Sequence, residues 1–91
     1  MKIAIHYKGQ LATEANSDAE DCEVTEETTV ASLIAEISTN KGDKFRAIVL
    51  DDDGNVRRTL LVAVDGEQLL DMNSKIGDAQ EVTLLPPIAG G

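Results

Sequence analysis

Apolar and polar positions alternate at the start of the chain. Ile3, Ile5 and Tyr7 fall on one side of an extended backbone, and the residues between them fall on the other. A period of two is typical of a strand with one buried face. A short second strand around Cys22 is predicted to pair with it as a hairpin. The small, polar segment 9–20 between them is predicted to be a turn or loop.

Residues 29–42 change to a helical period. Apolar residues at i, i+3, i+4 and i+7 form one stripe: Val30, Leu33, Ile34 and Ile37. Thr29 can cap the start of this helix, Lys41 suits its last turn, and Gly42 suits a left-handed C-terminus. This segment is predicted to be the main helix of the protein.

The second half of the chain reads as short apolar runs separated by turns. FRAIVL (45–50) is predicted to be a buried strand, joined by an Asp53-Gly54 hairpin turn to the return strand LLVAV (60–64). Residues 67–80 are mixed, and four apolar residues there are predicted to cover one end of the core: Leu69, Leu70, Met72 and Ile76.

EVTLL (81–85) is predicted to be the last strand, because Pro86 and Pro87 cannot continue its ladder. The order strand, strand, helix and three further strands predicts an α+β roll, with one mixed sheet packed on one main helix. The chain shows no repeat and no second domain.

Composition narrows the class of protein. The 91 residues carry 17 acidic and 8 basic side chains, a net charge of −9. Such a surface repels nucleic acid and anionic lipid, so neither is an expected partner; it suits a basic protein face, or serves solubility alone. A lone cysteine, no signal peptide and no long apolar stretch predict a soluble, cytoplasmic protein without an internal disulfide.

Candidate catalytic and metal-binding residues are few. Asp51, Asp52 and Asp53 suggest a calcium loop, but Val49 and Leu60 occupy the positions where that loop needs acidic ligands. They are interpreted as a solvated turn, and no metal is expected. His6 is predicted to be exposed and Cys22 to be a half-buried strand thiol, neither with an activating neighbour in sequence. The chain also lacks a phosphate-binding loop, so it is not expected to be an enzyme by itself.

The final residues, LLPPIAGG, are the most suggestive segment. The two prolines restrict the direction in which the tail leaves the last strand. Two glycines without Cβ atoms can thread a narrow channel and adopt any φ. The Gly91 carboxylate could therefore be delivered into the active site of another protein and activated there.

The ending EVTLLPPIAGG resembles the C-terminus of the MoaD/ThiS family of sulfur-carrier proteins, and LLVAVDGEQL is similar to an upstream segment of that family. The resemblance implies a ubiquitin-like β-grasp fold, with a domain over 1–85 and a flexible tail over 86–91. Gly91, with Gly90, would be the functional end. Pro86, Pro87, Ile88 and Ala89 would contact the partner.

The resemblance also implies the chemistry of the tail. A ubiquitin-activating-type enzyme would use ATP to adenylate the Gly91 carboxylate, and a sulfurtransferase or persulfide donor would convert it to a thiocarboxylate. A sulfur-accepting biosynthetic enzyme would then take the sulfur. No cofactor would be bound stably, and the chain would act as a carrier, either alone or as the small subunit of a synthase complex.

Three alternatives stay open on the sequence. The acceptor pathway could make molybdopterin, thiamine, cysteine, thiolated tRNA or a sulfur-containing secondary metabolite. The same adenylated carboxylate could instead be joined to lysines of target proteins, as in ubiquitin-like modifiers. The chain could also be a binding module with an idle tail.

Overall fold

The order of the elements follows the predicted outline with three differences. The structure, a computed structural model, describes residues 1–87. The elements of this range are β1 (Lys2–Tyr7), α1 (Gln10–Ala15), β2 (Ala19–Glu23), α2 (Val30–Lys41), α3 (Asp43–Val49), β3 (Leu61–Val64), β4 (Glu67–Leu69) and β5 (Glu81–Leu85). The predicted α+β class, with a mixed sheet packed on one main helix, is confirmed.

The strands form one five-stranded sheet in the order β2-β1-β5-β3-β4. β1 and β2 pair as the predicted antiparallel hairpin, and β3 and β4 form a second one. β5 lies between the two hairpins, parallel to β1 and antiparallel to β3. The last strand in sequence is therefore the central strand of the sheet, and the C-terminal tail starts from the middle of the fold.

The core lies between one sheet face and the helices. Ile3, Ile5 and Tyr7 of β1 are almost fully buried, as their alternation predicts. The four apolar residues of the α2 stripe are buried as well. Thr29 caps α2 as predicted, because its hydroxyl accepts a hydrogen bond of 3.1 Å from the backbone N–H of Ser32.

Gly42 ends α2 with a positive φ of 94°, but its ψ of 173° lies outside the left-handed helical region. Gly42 is also the N-cap of α3, in a positive-φ conformation that residues with a Cβ rarely adopt. One glycine thus joins two consecutive helices, α2 and α3, which pack against each other.

The predicted strand FRAIVL is wrong, since Asp43–Val49 forms the helix α3. Phe45 and Val49 lie one helical turn apart and are both fully buried, whereas the residues between them are mostly exposed. This spacing is a helical period. Packing against the other helices stabilises the helix, although Ile48 and Val49 have a high β-propensity.

The Asp53-Gly54 turn exists, although it does not join two strands. Gly54 has a φ of 85°, and the backbone N–H of Asp51 donates to the carbonyl of Asn55. A single bridge between Leu50 and Val56 is the only ladder contact across this turn among residues 1–87. The predicted return strand is shorter than LLVAV, beginning at Leu61.

Two further elements were not predicted. α1 occupies the segment interpreted as a loop; its buried Leu11 is its only large apolar side chain, so the sequence signal is weak. β4 is a three-residue edge strand of mostly polar residues. Of the four apolar residues expected to cover the core, Ile76 is buried and Leu70 is 83% exposed, which makes that prediction wrong for Leu70. Leu70 follows the edge strand, where none of the helices and strands of residues 1–87 covers it.

Candidate functional site

The root of the tail is the C-terminal end of β5. Here Leu84 lies opposite Tyr7 of β1, and Leu85 lies opposite Leu61 of β3. The carbonyl of Leu84 accepts a hydrogen bond of 3.1 Å from the backbone N–H of Lys8. Strands on both sides therefore hold the backbone up to the first proline and fix the point from which the tail departs.

Pro86 and Pro87 differ in exposure. Pro86 is buried against Gly9, where an added Cβ would lie 3.4 Å from the Cγ of Pro86. Gly9 has φ 54° and ψ −131°, a conformation that glycine adopts far more readily than any other residue. Pro87 is exposed. The first proline thus packs against the β1–α1 junction, and the second faces outwards.

The other predicted residues of the tail, Ile88, Ala89, Gly90 and Gly91, lie outside the described residues. Gly9 is a residue of this region that sequence reasoning missed. The signal available was its position directly after the first strand, in a segment read only as a polar loop.

The outer face of the sheet is apolar next to the tail root. Leu61 and Leu85 are 44% and 42% exposed and lie directly opposite each other on neighbouring strands. They line a shallow depression of about 230 Å³ with Ala63, Gly66 and Thr83. An exposed apolar patch at the base of a tail is a surface on which a partner protein can dock.

His6 lies on the same outer face of the sheet. Its side chain is 35% exposed, partly consistent with the predicted exposure, and its Nε2 is 3.3 Å from the Glu81 carboxylate. No nucleophile accompanies this pair in the described part of the chain, so the arrangement is that of a surface ion pair when His6 is protonated.

A polar network connects β1, β2 and α2 on the helical side of the sheet. The Tyr7 hydroxyl donates a hydrogen bond of 2.6 Å to one Glu20 oxygen, and Lys41 Nζ lies 2.7 Å from the other. Burial, followed by the bond to Glu20, raises the pKa of Tyr7 far above its usual range. Burial alone would raise the pKa of Glu20, but the bonds from Lys41 and Tyr7 together lower it. The network therefore holds a carboxylate and a neutral phenol.

Cys22 is a half-buried strand thiol, as predicted. Burial first, and then the carboxylates of Glu20 and Glu36, raise the pKa of its thiol. A raised pKa keeps the sulfur protonated near neutral pH, whereas a reactive cysteine needs the thiolate. This environment is the opposite of that around an activated sulfur nucleophile.

Within residues 1–87, no group of three or more metal-ligating side chains comes together, and Asp51 instead caps its own turn. No helix in this range is long and apolar enough to cross a membrane. The tail root and the apolar surface beside it are therefore the features of residues 1–87 that form the candidate site.

Comparisons with known proteins identify the family to which the chain belongs. The ThiS family model matches residues 5–91. SAMP1 from Haloferax volcanii is similar over 100% of both chains, with 22% identity and a TM-score of 0.86. A putative molybdopterin converting factor subunit 1 from Pyrococcus furiosus has 25% identity and a TM-score of 0.75, over 97% of this chain and 99% of that one.

CysO from Mycobacterium tuberculosis has 16% identity and a TM-score of 0.66, over 94% of this chain and 99% of that one. No curated protein matches this chain significantly. The family match nevertheless covers nearly the whole chain, and the alignments with the first two structural neighbours cover 97–100% of it. The chain therefore belongs to the ThiS family, whose members are small carrier proteins with a ubiquitin-like β-grasp fold.

Proposed function

We propose that this protein is a sulfur carrier whose C-terminal Gly91 carboxylate is adenylated by a partner enzyme and converted to a thiocarboxylate. The observation that carries the proposal is the root of the tail: the central strand ends at Leu85, and the next residue, Pro86, is buried against Gly9 at the rim of the sheet. A fixed root and a chain that ends in two glycines without Cβ atoms suit delivery of a terminus into another protein.

The chemistry begins with an unreactive group. A carboxylate resists attack by a nucleophile because it is already negatively charged. The partner enzyme would let a Gly91 oxygen attack the α-phosphorus of ATP, with release of pyrophosphate. The resulting acyl-adenylate is a mixed anhydride, and its carbonyl carbon is open to attack with AMP as the leaving group.

Sulfur enters in the second step. Hydrosulfide would displace AMP directly and leave the thiocarboxylate. A protein persulfide would first form an acyl disulfide, which a thiol must cleave to release the thiocarboxylate and a new disulfide. The raised pKa of Cys22 supports an external sulfur donor over this chain's own thiol.

The apolar depression lined by Leu61 and Leu85 supports the proposal that a partner protein docks here. A partner that covers this patch would stand directly at the exit of the tail. We propose a ubiquitin-activating-type adenylating enzyme for the first contact and a sulfur-accepting biosynthetic enzyme for the last. The similar Pyrococcus protein, described as a putative molybdopterin converting factor, makes molybdopterin synthesis one candidate pathway, beside thiamine and cysteine synthesis.

A second candidate function is conjugation through Gly91 to lysines of target proteins. It is favoured by the likeness to SAMP1, which is described as a small archaeal modifier protein. Both functions use the same acyl-adenylate and differ in the nucleophile, sulfur in one and a lysine amine in the other.

Intact-mass spectrometry tests the proposal. After incubation with the adenylating enzyme of the source organism, ATP and a sulfur donor, one oxygen of the chain should be replaced by sulfur, and fragmentation should locate the change at Gly91. Isopeptide-linked adducts in cell extracts, without a thiocarboxylate, would favour the modifier. A chain unchanged by ATP and enzyme would contradict both.

A further inference from the structure

A groove of about 320 Å³ lies between the segment 56–61 and the β3–β4 hairpin. Its lining mixes two arginines with apolar side chains: Arg57, Arg58, Leu61, Leu69, Leu70 and Met72. It lies beside the apolar depression of the outer sheet face and shares Leu61 with it. The tail chemistry described above uses neither arginine.

The apolar part of the groove is unusually exposed. Four large apolar side chains of the described residues are exposed: Met1, Leu61, Leu70 and Leu85. Leu61 and Leu70 both line the groove, and Leu70 is 83% exposed directly after the edge strand β4. Single exposed leucines are common on proteins, but two within one groove leave apolar area for a partner to cover.

The arginines provide the polar part. Arg57 Nε donates a hydrogen bond of 2.8 Å to the carbonyl of Ala47, which fixes the guanidinium group and leaves its terminal N–H groups for other acceptors. Within residues 1–87, neither Arg57 nor Arg58 lies in an ion pair with a carboxylate. The adjacent Asp51 uses its Oδ1 to accept from two backbone N–H groups of its own turn.

Two open guanidinium groups are notable in a chain of net charge −9. A planar guanidinium binds a carboxylate through two parallel hydrogen bonds, a geometry that lysine cannot offer. The groove therefore complements a ligand that combines carboxylates with an apolar side chain.

We infer that this groove, which we call the Arg57–Leu70 groove, binds an acidic segment of a partner protein carrying a large apolar residue between carboxylates. The apolar residue would cover Leu61 and Leu70, and the carboxylates would pair with the two arginines. Leu61 lies opposite Leu85, the residue before Pro86, so the segment would be bound next to the tail exit. The identification of the partner as a protein that receives the tail rests on the proposed function. The preference of the groove for an acidic ligand does not depend on that function.

The inference can be tested without knowing the partner. The probe is a synthetic peptide with one leucine flanked by aspartates and glutamates, titrated into the ¹⁵N-labelled full-length chain and followed by NMR. Backbone signals of residues 56–61 and 68–72 should shift. A control peptide with lysines in place of the acidic residues should leave them unchanged.

Two variants locate the binding. Arg58→Glu and Leu70→Ala change exposed side chains that make no hydrogen bond among residues 1–87, so both should remain folded. Each should weaken peptide binding by about tenfold or more, as expected for the loss of a charge-assisted or apolar contact. The matched control, Lys44→Ala with Arg46→Ala, removes two exposed cations of α3 outside the groove and should leave binding unchanged.

The inference would be overturned by no shifts at millimolar peptide, by equal binding of the acidic and basic peptides, or by equal binding by Arg58→Glu and wild type. A dimer by light scattering that Leu70→Ala dissolves would assign the groove to a second copy instead, which also overturns it. Peptide binding with no thiocarboxylate at Gly91 would refute the proposed function and leave the groove assignment intact.

Discussion

Gly9 and Pro86 lie side by side at the root of the tail, where a Cβ added to Gly9 would be 3.4 Å from the Cγ of the buried Pro86. Gly9 is the N-cap of α1, at the end of the connection from β1, and has φ 54° and ψ −131°. The N-cap residue of α1 therefore lies at the point where the chain leaves the last strand.

Replacing Gly9 by alanine should destabilise the fold by about 1–3 kcal/mol, because a Cβ strains this backbone conformation. The 3.4 Å approach to Pro86 adds little, since it is an ordinary contact distance. Thermal or urea unfolding measures the loss, and backbone NMR signals of Lys8 and Leu85 should shift.

Gly54→Ala is the matched control for this substitution. Gly54 also has a positive φ, 85°, but an added Cβ would meet no atom within 4 Å. It should lose stability while leaving the signals of the tail root unchanged. A Gly9→Ala protein as stable as wild type, or tail-root signals that move equally in both variants, would show that the Gly9–Pro86 contact does not define the exit.

The Tyr7–Glu20–Lys41 network should make stability depend on pH. Its hydrogen bonds give Glu20 a lower pKa in the folded chain than in the unfolded one. The stabilisation is thus fully present above the unfolded pKa of about 4.3 and is lost as the pH falls through the folded value. Urea unfolding from pH 7 to pH 3 should show a steeper loss for wild type than for Glu20→Gln.

Glu26→Gln removes an exposed carboxylate without a side-chain hydrogen bond among the described residues, and serves as the control. Its pH profile should run parallel to that of wild type. Because 17 acidic residues titrate in this range, only the difference between variants reports on Glu20. Identical profiles for Glu20→Gln and wild type would mean that the network contributes no net stability.

The long periodic segments were predictable from the sequence because each buries one face by itself. β1 alternates over six residues, and α2 places four apolar residues on one stripe. The pairing of β5 between β1 and β3 was not predictable in the same way, since it depends on contacts between distant parts of the chain. It is this pairing that puts the tail root at the centre of the sheet.

The errors fall on short elements. α3 spans seven residues, and the run Ile48-Val49-Leu50 at its end favours a strand locally. Phe45 and Val49, however, lie one helical turn apart and are both buried in the helix that forms. β4 has three residues and α1 one large apolar side chain, so neither carries a periodic signal. The packing of the whole domain determines these elements.

The candidate site was likewise predictable only in its local part. The Gly-Gly ending and the prolines were visible as a motif, because their chemistry is local. The contact of Gly9 with Pro86, and the meeting of Leu61 with Leu85, join residues more than twenty positions apart in the chain. Only the fold brings them together.

Association with the activating partner should weaken as salt rises. Seventeen carboxylates and a net charge of −9 favour a basic partner face, and exposed charges are screened beyond about 8 Å at physiological ionic strength. Stopped-flow association rates with the cognate adenylating enzyme, measured from low to high salt, should fall while dissociation rates change less. A flat association rate would leave the charge a role in solubility alone.

Removing Gly90 and Gly91 should abolish activation and leave the fold intact. The ladder of β5 ends at Leu85, and Pro86 is already buried, so the last two residues are expected to contribute less than about 2 kcal/mol to stability. Thermal unfolding of the truncated and full chains measures this contribution. A larger loss would show that the tail is part of the folded domain.

The chain could hold sulfur at two positions, the Gly91 carboxylate and the Cys22 thiol. The position at which sulfur is found distinguishes between them. Cys22 is half-buried and its thiol pKa is raised, so it should not become persulfidated under conditions that load the terminus. Cys22→Ala should therefore gain the thiocarboxylate as fast as wild type. Gly91→Ala, or a chain extended by one residue, should fail, because an added methyl group or residue obstructs a channel built for an unbranched end.

Mass spectrometry with fragmentation shows whether each variant carries sulfur and at which residue, and circular dichroism shows whether each is folded. The extended chain is the stricter control, since it keeps Gly90 and Gly91 but replaces the free carboxylate by an amide. Sulfur found on Cys22, or a Cys22→Ala chain that cannot be loaded, would make the thiol the carrier and refute the role of the tail. Loading of the extended chain at Gly91 would refute it as well, because an amide cannot form the acyl-adenylate.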